Sequence, residues 1–289
     1  MAKQYPITYE LSLQEKENPF VASLLSKVLQ NTGIPPSLIS EHNNGFGSRA
    51  SVYVASKTLL RGYRNRIAAL NLKGVRLNVK RLKRQDWIRQ GKENFRPFLL
   101  MRGIEIAPAA QKNHFKSKAG QALFLETAGA FGSGLHETTR FTAQFISSLK
   151  GKFESFLDIG TGSGILAMLA AHYGAKKVYA LDIDKEALKI ANENFRLNGF
   201  HSIHARVADV KKARGKKQFD FVAANLITKE LILARRPLLS FVKPGKFLAV
   251  SGISRENFYA FKRAVRGLPL RCLKVVQGKE WIAVLYKRI

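Results

Sequence analysis

The sequence predicts an α/β protein: a Rossmann-like domain on a mostly parallel seven-stranded sheet, preceded by a small α+β domain of ferredoxin-like type. Three observations predict it. Residues 156–164, F-L-D-I-G-T-G-S-G, run from a short apolar strand into three alternating glycines, Gly160, Gly162 and Gly164, and an apolar helical pattern follows. Beyond that loop, strand-length apolar runs alternate with amphipathic helical patterns, which implies a parallel sheet with helices on both faces. The first 83 residues read strand, helix, strand, strand, helix, strand, the split βαβ order. A chain of 289 residues suits two domains.

In chain order, residues 5–13 alternate as a strand. Asn18-Pro19 opens a helical pattern with Phe20, Leu24, Leu25, Val28 and Leu29 on one face, and Gly33 stops it. Residues 37–41 make a weak strand, N-N-G-F-G a turn, and 50–55 a better strand. Leu59 to Leu70 read as an arginine-rich helix, and 74–82 alternate again. Residues 1–83 are therefore assigned as a ferredoxin-like domain. Residues 84–118 are read as a connector, with a short helix at Asp86–Phe95, a strand at Gly103–Ala107 and a polar, basic, solvated stretch after it.

The second domain is placed at 119–289. A short strand, A-L-F-L-E-T, leads to G-A-F-G-S-G-L-H-E-T-T at 129–139, and a helix with Phe141, Phe145, Ile146 and Leu149 on one face follows. After the glycine loop come strands at 178–184, 203–209, 219–226 and 246–253, with helices at 185–197, 228–241 and 257–266. Two final apolar runs, 270–276 and 281–286, joined by Q-G-K-E, predict an antiparallel hairpin at the sheet edge.

The net charge of +29 is the unusual compositional feature. It is spread along the chain: residues 1–94 carry 16 Lys/Arg against 6 Asp/Glu, and residues 95–289 carry 33 against 14. Such a field favours polyanionic partners; contact with RNA or a ribonucleoprotein and a general basic bias stand as alternatives. No apolar run is long enough to span a bilayer, and no signal-peptide pattern opens the chain. Together with a single cysteine, Cys272, these features point to the cytoplasm and no membrane partner. His201 and His204 sit three apart without further nearby ligands, so no metal is expected. A monomer is expected.

A glycine turn after a first strand serves several cofactor classes, and spacing narrows the choice. Dinucleotide binders use G-x-G-x-x-G. Here position 165 is isoleucine, and no lysine follows as in a P-loop. A ligand without phosphates that needs close backbone approach fits better, and S-adenosylmethionine is such a ligand. Asp158 is placed to take its positive end. Asp182, 24 residues on, ends the second strand, where an acid accepts ribose hydroxyls. Asp209 ends the third, near the adenine edge, and Asn225 the fourth, beside the reacting group. Helix capping is the alternative reading for both aspartates.

These stretches, G-A-F-G-S-G-L-H-E-T-T, D-I-G-T-G-S-G-I-L-A, A-L-D-I-D, V-A-A-N-L-I and V-S-G-I, with D-W-I-R-Q-G-K-E-N-F-R-P and the terminal E-W-I-A-V-L-Y-K-R, resemble the ribosomal protein L11 methyltransferase (PrmA) family of class I S-adenosylmethionine-dependent methyltransferases. The resemblance covers roughly residues 86–289. It implies S-adenosylmethionine contacts at Thr139, Gly160, Asp182 and Asn225, with ribosomal protein L11 or another basic ribosomal protein as substrate, docked by the N-terminal domain. Thr138 opens the helix beside Thr139. Phe131 and His136 share the preceding loop and are placed to close over the ligand; His136 is a candidate base, with loop ordering as its alternative. Many family members read T-G-T-H-P-T-T, whereas this chain carries Ser133, Leu135 and Glu137.

The chemistry implied is methyl transfer to a lysine ε-amine or an α-amine, with Asn225 positioning the amine. An RNA methyltransferase is the alternative suggested by charge, although N-L-I-T after the fourth strand offers no aromatic to stack a flipped base. A non-catalytic ribosome- or RNA-binding protein that kept the fold is the third.

Overall fold

A computed structural model describes residues 8–15, 22–34, 39–43, 48–54, 57–82, 95–126, 136–213 and 217–289. The chain divides into two compact units, Met1–Trp87 and Ile88–Ile289.

The first unit has the expected element order: β1 (Thr8–Glu15), α1 (Ala22–Asn31), β2 (Ile39–Asn43), β3 (Ser48–Val54), α2 (Lys57–Ala68) and β4 (Arg76–Leu82). The strands line up β2-β3-β1-β4, every neighbouring pair antiparallel. The two-residue period of β1 sends Leu11 and Leu13 into a core with Leu25 and Leu29 of α1 and Ile67 of α2. Glu10 and Ser12 take the other face, where Glu10 pairs with Arg49 and accepts a hydrogen bond from the Ser51 hydroxyl. Asn18-Pro19 lies outside the described residues.

The second unit contains a three-stranded sheet, β5 (Phe98–Met101), β6 (Ile104–Pro108) and β7 (Gln121–Leu125), in which β6 and β7 run parallel. This changes the reading of the connector. Leu100, Ile104 and Ile106 are buried in the second unit's core, and Phe115 of the polar stretch meets the Phe124 ring edge-on at 6.3 Å. Short apolar runs inside a basic segment therefore commit residues 95–118 to the second unit. The helix expected at Asp86–Phe95 lies almost wholly outside the described residues.

The remaining elements are α3 (Glu137–Ser148), β8 (Ser155–Ile159), α4 (Ile165–His172), β9 (Lys177–Asp182), α5 (Lys185–Leu197), β10 (His204–Val207), β11 (Phe219–Asn225), α6 (Thr228–Ser240), β12 (Val242–Ser254), α7 (Phe258–Val265), β13 (Leu270–Gln277) and β14 (Trp281–Arg288). They form the predicted seven-stranded sheet, ordered β10-β9-β8-β11-β12-β14-β13. The pairs from β10 to β12 are parallel, and the C-terminal hairpin is antiparallel, as its short connection requires. Alternate residues of β8 divide the core: Phe156 packs with α3, α4 and α5 on one face, Leu157 with α6 and α7 on the other. The central strand β11 is buried on both faces and reads as one apolar run. Among the described residues, no helix is long and apolar enough to cross a membrane.

At the N-terminal edge of the sheet, Asp220 joins β11 to β8. Its Oδ2 accepts hydrogen bonds from Glu154 N–H (3.1 Å), Ser155 N–H (2.9 Å) and the Ser155 hydroxyl (2.9 Å), while Lys243 Nζ lies 3.0 Å from Oδ1. Burial alone would raise this carboxyl's pKa; the lysine and the three donors more than reverse that and hold it well below the usual carboxylate range. Asp220→Ala leaves those donors unmatched and should cost about 2–4 kcal/mol in urea unfolding at neutral pH. A depressed folded-state pKa contributes stability that is complete above the unfolded value and lost as pH falls through the folded one. Below about pH 4 the gap between wild type and variant should therefore narrow.

Candidate functional site

The glycine loop between β8 and α4 is held by the end of β9. Gly160 N–H and Thr161 N–H both donate to the Leu181 carbonyl (2.8 and 3.0 Å), Gly162 N–H donates to Asp182 Oδ2 (3.0 Å), and Gly164 N–H returns to the Thr161 carbonyl (2.9 Å). Gly160, Gly162 and Gly164 have φ of 73°, 54° and 84°, in the left-handed region that side chains disfavour. Space is equally restrictive. A Cβ on Gly160 would fall 2.5 Å from Leu226 Cδ2, and one on Gly164 would fall 2.4 Å from the Phe195 ring. Because these N–H groups are occupied, the loop is not the open nest of donors that a pyrophosphate needs. It presents bare backbone instead.

The strand-end residues have separate jobs. Asp182 ends β9 half-buried; its Oδ1 accepts Asp184 N–H (2.9 Å) and its Oδ2 accepts Gly162 N–H, so each oxygen retains acceptor capacity. Capping α5 is done by Asp184 through Glu186 N–H (2.9 Å). Asn225 ends β11 and donates through Nδ2 to the hydroxyl of Thr139, 3.4 Å away and 86 residues earlier. Thr139 is buried in the first turn of α3. Next to it, the Thr138 carbonyl accepts the Ser251 hydroxyl (3.0 Å), which fastens α3 to β12. Gly252 completes the V-S-G-I motif: a Cβ there would lie 2.2 Å from the Leu226 carbonyl oxygen. Thus Gly160, Asp182, Asn225 and Thr139 gather at the C-terminal edge of the sheet, where open α/β folds bind ligands.

Three candidate residues make local contacts. Asp158 is fully buried, its Oδ2 accepting the Thr161 hydroxyl (2.7 Å) and its Oδ1 unpartnered, so it supports the loop from beneath and offers no face to a ligand. Burial pushes its carboxyl up to about 7 against the pull of the Thr161 donor, and the Asp182 charge adds to the rise. Asp209 lies two residues past β10; its Oδ1 accepts Lys211 N–H (3.0 Å) and its carbonyl accepts Lys212 and Ala213 N–H, so it caps the following turn. His136 is the N-cap of α3: Nδ1 accepts Thr138 N–H (3.4 Å) and lies 2.9 Å from the Thr138 hydroxyl, while its ring meets Trp281 edge-on at 5.3 Å. Its contacts through Nδ1 match the loop-ordering alternative. Phe131 lies outside the described residues.

Glu137, a departure from the family pattern, receives the Trp281 N–H (3.3 Å). It packs where a Cβ on Gly278 would lie 1.9 Å from its Oε2, so the β13–β14 turn closes onto α3. Sequence reasoning missed Asn194. This buried amide of α5 donates to the Ser163 carbonyl (2.8 Å) and brackets Glu126, accepting its N–H (2.7 Å) and donating to its carbonyl (3.2 Å). Asn198 does the same for Phe124, at 2.7 Å each way. The available signal was two asparagines four apart, Asn194 on a helix whose other inward positions are apolar and Asn198 at its C-cap.

Chemically, the Thr139–Asn225 pair offers neutral polar groups suited to aligning an amine. Among the described residues, no group of three or more His, Cys, Asp or Glu is arranged to hold a metal ion.

The elevated Asp158 pKa has a stability consequence with a definite sign. The folded state keeps its proton up to about 7 while the unfolded chain releases it near the ordinary aspartate value of 3.8. Stability therefore falls as pH rises through that interval and levels off above it. Asp158→Asn keeps the Thr161 acceptor without the charge and should flatten that decline, measured as urea midpoints from pH 5 to pH 8. An unaltered slope would show that Asp158 is not its source.

A family model described as ribosomal protein L11 methyltransferase (PrmA) matches residues 36–289. A ribosomal protein L11 methyltransferase of Caldanaerobacter subterraneus subsp. tengcongensis is 30% identical over 221 residues, covering 76% of this chain and 70% of the relative. One from Geobacter metallireducens is 34% identical over 212 residues, covering 72% and 68%. The crystal structure of a ribosomal protein L11 methylase from Lactobacillus delbrueckii subsp. bulgaricus aligns with a TM-score of 0.62 at 28% identity, over 67% of this chain and 99% of that one. With the family model spanning both the glycine loop and the Thr139–Asn225 pair, the chain belongs to the ribosomal protein L11 methyltransferase (PrmA) family.

Proposed function

We propose that this chain transfers methyl groups from S-adenosylmethionine to amino groups of ribosomal protein L11, at lysine side chains, the N-terminal amine or both. The observation that carries the reading is the Thr139–Asn225 hydrogen bond beside a glycine loop whose N–H groups are internally bonded. The residues fit that cofactor. A loop with occupied N–H groups and no Cβ at Gly160, Gly162 or Gly164 suits an uncharged nucleoside pressed against backbone better than a pyrophosphate. Asp182 keeps acceptor capacity for ribose hydroxyls, and Gly160, held between Asn225 and Leu226, lets a ligand lie close. When bound, S-adenosylmethionine supplies an electrophilic methyl group on a sulfonium.

The protein's own task is to present a neutral amine in line with that methyl. A lysine ε-amine is almost wholly protonated at pH 7. Asn225 leaves its amide oxygen to accept an amine N–H, because its Nδ2 is engaged by Thr139. The Leu226 carbonyl, pressed against Gly252, is a second acceptor on the same segment. Acceptors favour the amine with its lone pair directed away from them, and the released proton passes to water. Alignment supplies most of the rate, since His136 is engaged in capping.

Two measurements test this. With labelled S-adenosylmethionine, isolated ribosomal proteins and intact ribosomal particles, label should enter one protein band that co-migrates with L11; label in RNA would overturn the assignment of a protein acceptor. By calorimetry, Asp182→Ala should weaken S-adenosylmethionine binding roughly 10- to 100-fold, as loss of hydrogen bonds to a charged group implies, with the fold retained by circular dichroism. Unchanged affinity would remove Asp182 from the cofactor site.

A further inference from the structure

The face of the seven-stranded sheet that carries α6 and α7 is unevenly covered. These helices pack over β11 and β12, and among the described residues no helix lies over β9 and β10 on that side. A cavity of about 720 Å³ opens there. Its floor is apolar: Leu157 of β8, Leu181 of β9 and Phe219 of β11. One wall is a pair of rings, Tyr179 and His204, with centres 4.9 Å apart and planes tilted by 35°. The rim is cationic, formed by Arg206, Lys212 and Lys217, all exposed. Lys217 Nζ lies 5.3 Å from the Tyr179 ring centre and 3.4 Å from its hydroxyl. Among the described residues, no Asp or Glu lines the cavity. None of these three cations has a carboxylate partner among the described residues, whereas neighbouring Lys211 is paired with Glu230 at 3.0 Å. The cations continue past the cavity. Across the β10 edge a second hollow is lined by Lys185, Lys189 and Arg196, with Glu186 the one acid among the described residues there.

An apolar and aromatic floor calls for a planar, weakly polar body, and an unpaired cationic rim calls for anionic groups at its margin. A nucleobase with its phosphates satisfies both. An acidic peptide would satisfy the rim and leave the floor unfilled. A free nucleotide carries its phosphates at one end, while these cations extend over the strand edge into a second hollow, as a polymer requires. A duplex keeps its bases stacked and cannot insert one. The cavity volume suits one nucleotide, within the roughly 300–1,000 Å³ of small-ligand pockets.

We propose that single-stranded RNA binds along the β10 edge, one base seated against Tyr179 and His204 and its flanking phosphates on Arg206, Lys212 and Lys217. The choice of RNA as the nucleic acid rests on the ribosomal substrate proposed above; the cavity chemistry does not. Neither Thr139 nor Asn225 lines the cavity, so binding and methyl transfer are read separately and fail separately.

The test is fluorescence anisotropy of the full chain with a labelled RNA of roughly ten nucleotides, a usual footprint for such surfaces, single-stranded and annealed to its complement. The single strand should bind more tightly at equal salt. His204→Ala should weaken single-strand binding roughly 5- to 150-fold, the range for removing one stacking side chain, and leave duplex binding unchanged. Arg206→Glu with Lys217→Glu should lower the slope of log affinity against log salt by about 1.5. Lys262→Glu with Arg263→Glu on α7 makes the same change in net charge away from the cavity and should do much less. All four side chains reversed are exposed, and thermal unfolding checks that each variant folds. Equal losses in the two charge-reversal pairs, no effect of His204→Ala, or full displacement of the RNA by an equimolar mononucleotide would each overturn the proposal.

Discussion

The end of β9 is the support on which the site is built. The Leu181 carbonyl takes two N–H groups of the glycine loop, and the Asp182 carboxylate takes a third. Those three bonds pull the loop down onto the sheet, and only residues without Cβ can follow that path beneath Leu226 and against Phe195. Once the loop is fixed, its neighbours have little freedom. Leu226 lies over Gly160, its carbonyl sits on Gly252, and the Asn225 amide is turned toward α3. Asn194 then ties the loop's outer side, through the Ser163 carbonyl, to the end of β7. The chemistry of the site follows from this anchoring, because a loop that has already satisfied its N–H groups cannot compete for phosphate.

Two aspartates at opposite ends of the same sheet show how local donors decide ionisation. Asp158 lies beneath the loop with one hydroxyl donor and an unpartnered oxygen, so desolvation dominates and the proton is retained to near neutrality. Asp220 sits among two backbone N–H groups, a serine hydroxyl and a lysine, so the charged form is favoured. Chain position alone distinguishes neither. Donor count and access to solvent do.

The fold was legible because its signals are local. Strand periods, glycine turns and the alternation of β and α patterns identified both units and the seven-stranded sheet. Within the candidate site, the positions of Asp182 and Asn225 at strand ends and of Thr139 at a helix start were legible, because strand and helix boundaries carry local signals. Side-chain direction was not legible: Asp158 is fully buried on β8, and His136 and Asp209 accept hydrogen bonds from backbone that lies next to them in the chain. Asn194 and Asn198 were missed for a related reason. Their partners are backbone groups of β7, 68 to 74 residues away, and no periodicity in the sequence announces such a pairing. The connector was misread because its short strands sit in a basic background; burial of Leu100, Ile104 and Ile106 outweighs local polarity.

The charge of this chain is at odds with its proposed acceptor. A protein of net charge +29 and a basic ribosomal protein repel at long range, so electrostatic steering slows their direct encounter. The Thr139–Asn225 pair contributes no compensating negative charge. A polyanion that attracts both removes the conflict: RNA held along the β10 edge would bring a ribosomal protein into the enzyme's vicinity as a partner of the same nucleic acid, converting a repelled bimolecular encounter into a local one. On this view the unpaired cations of the β10 edge and the uncharged acceptors at the end of β11 are complementary. The first would collect substrate through its RNA, and the second would orient the amine, once neutral, by accepting its N–H groups.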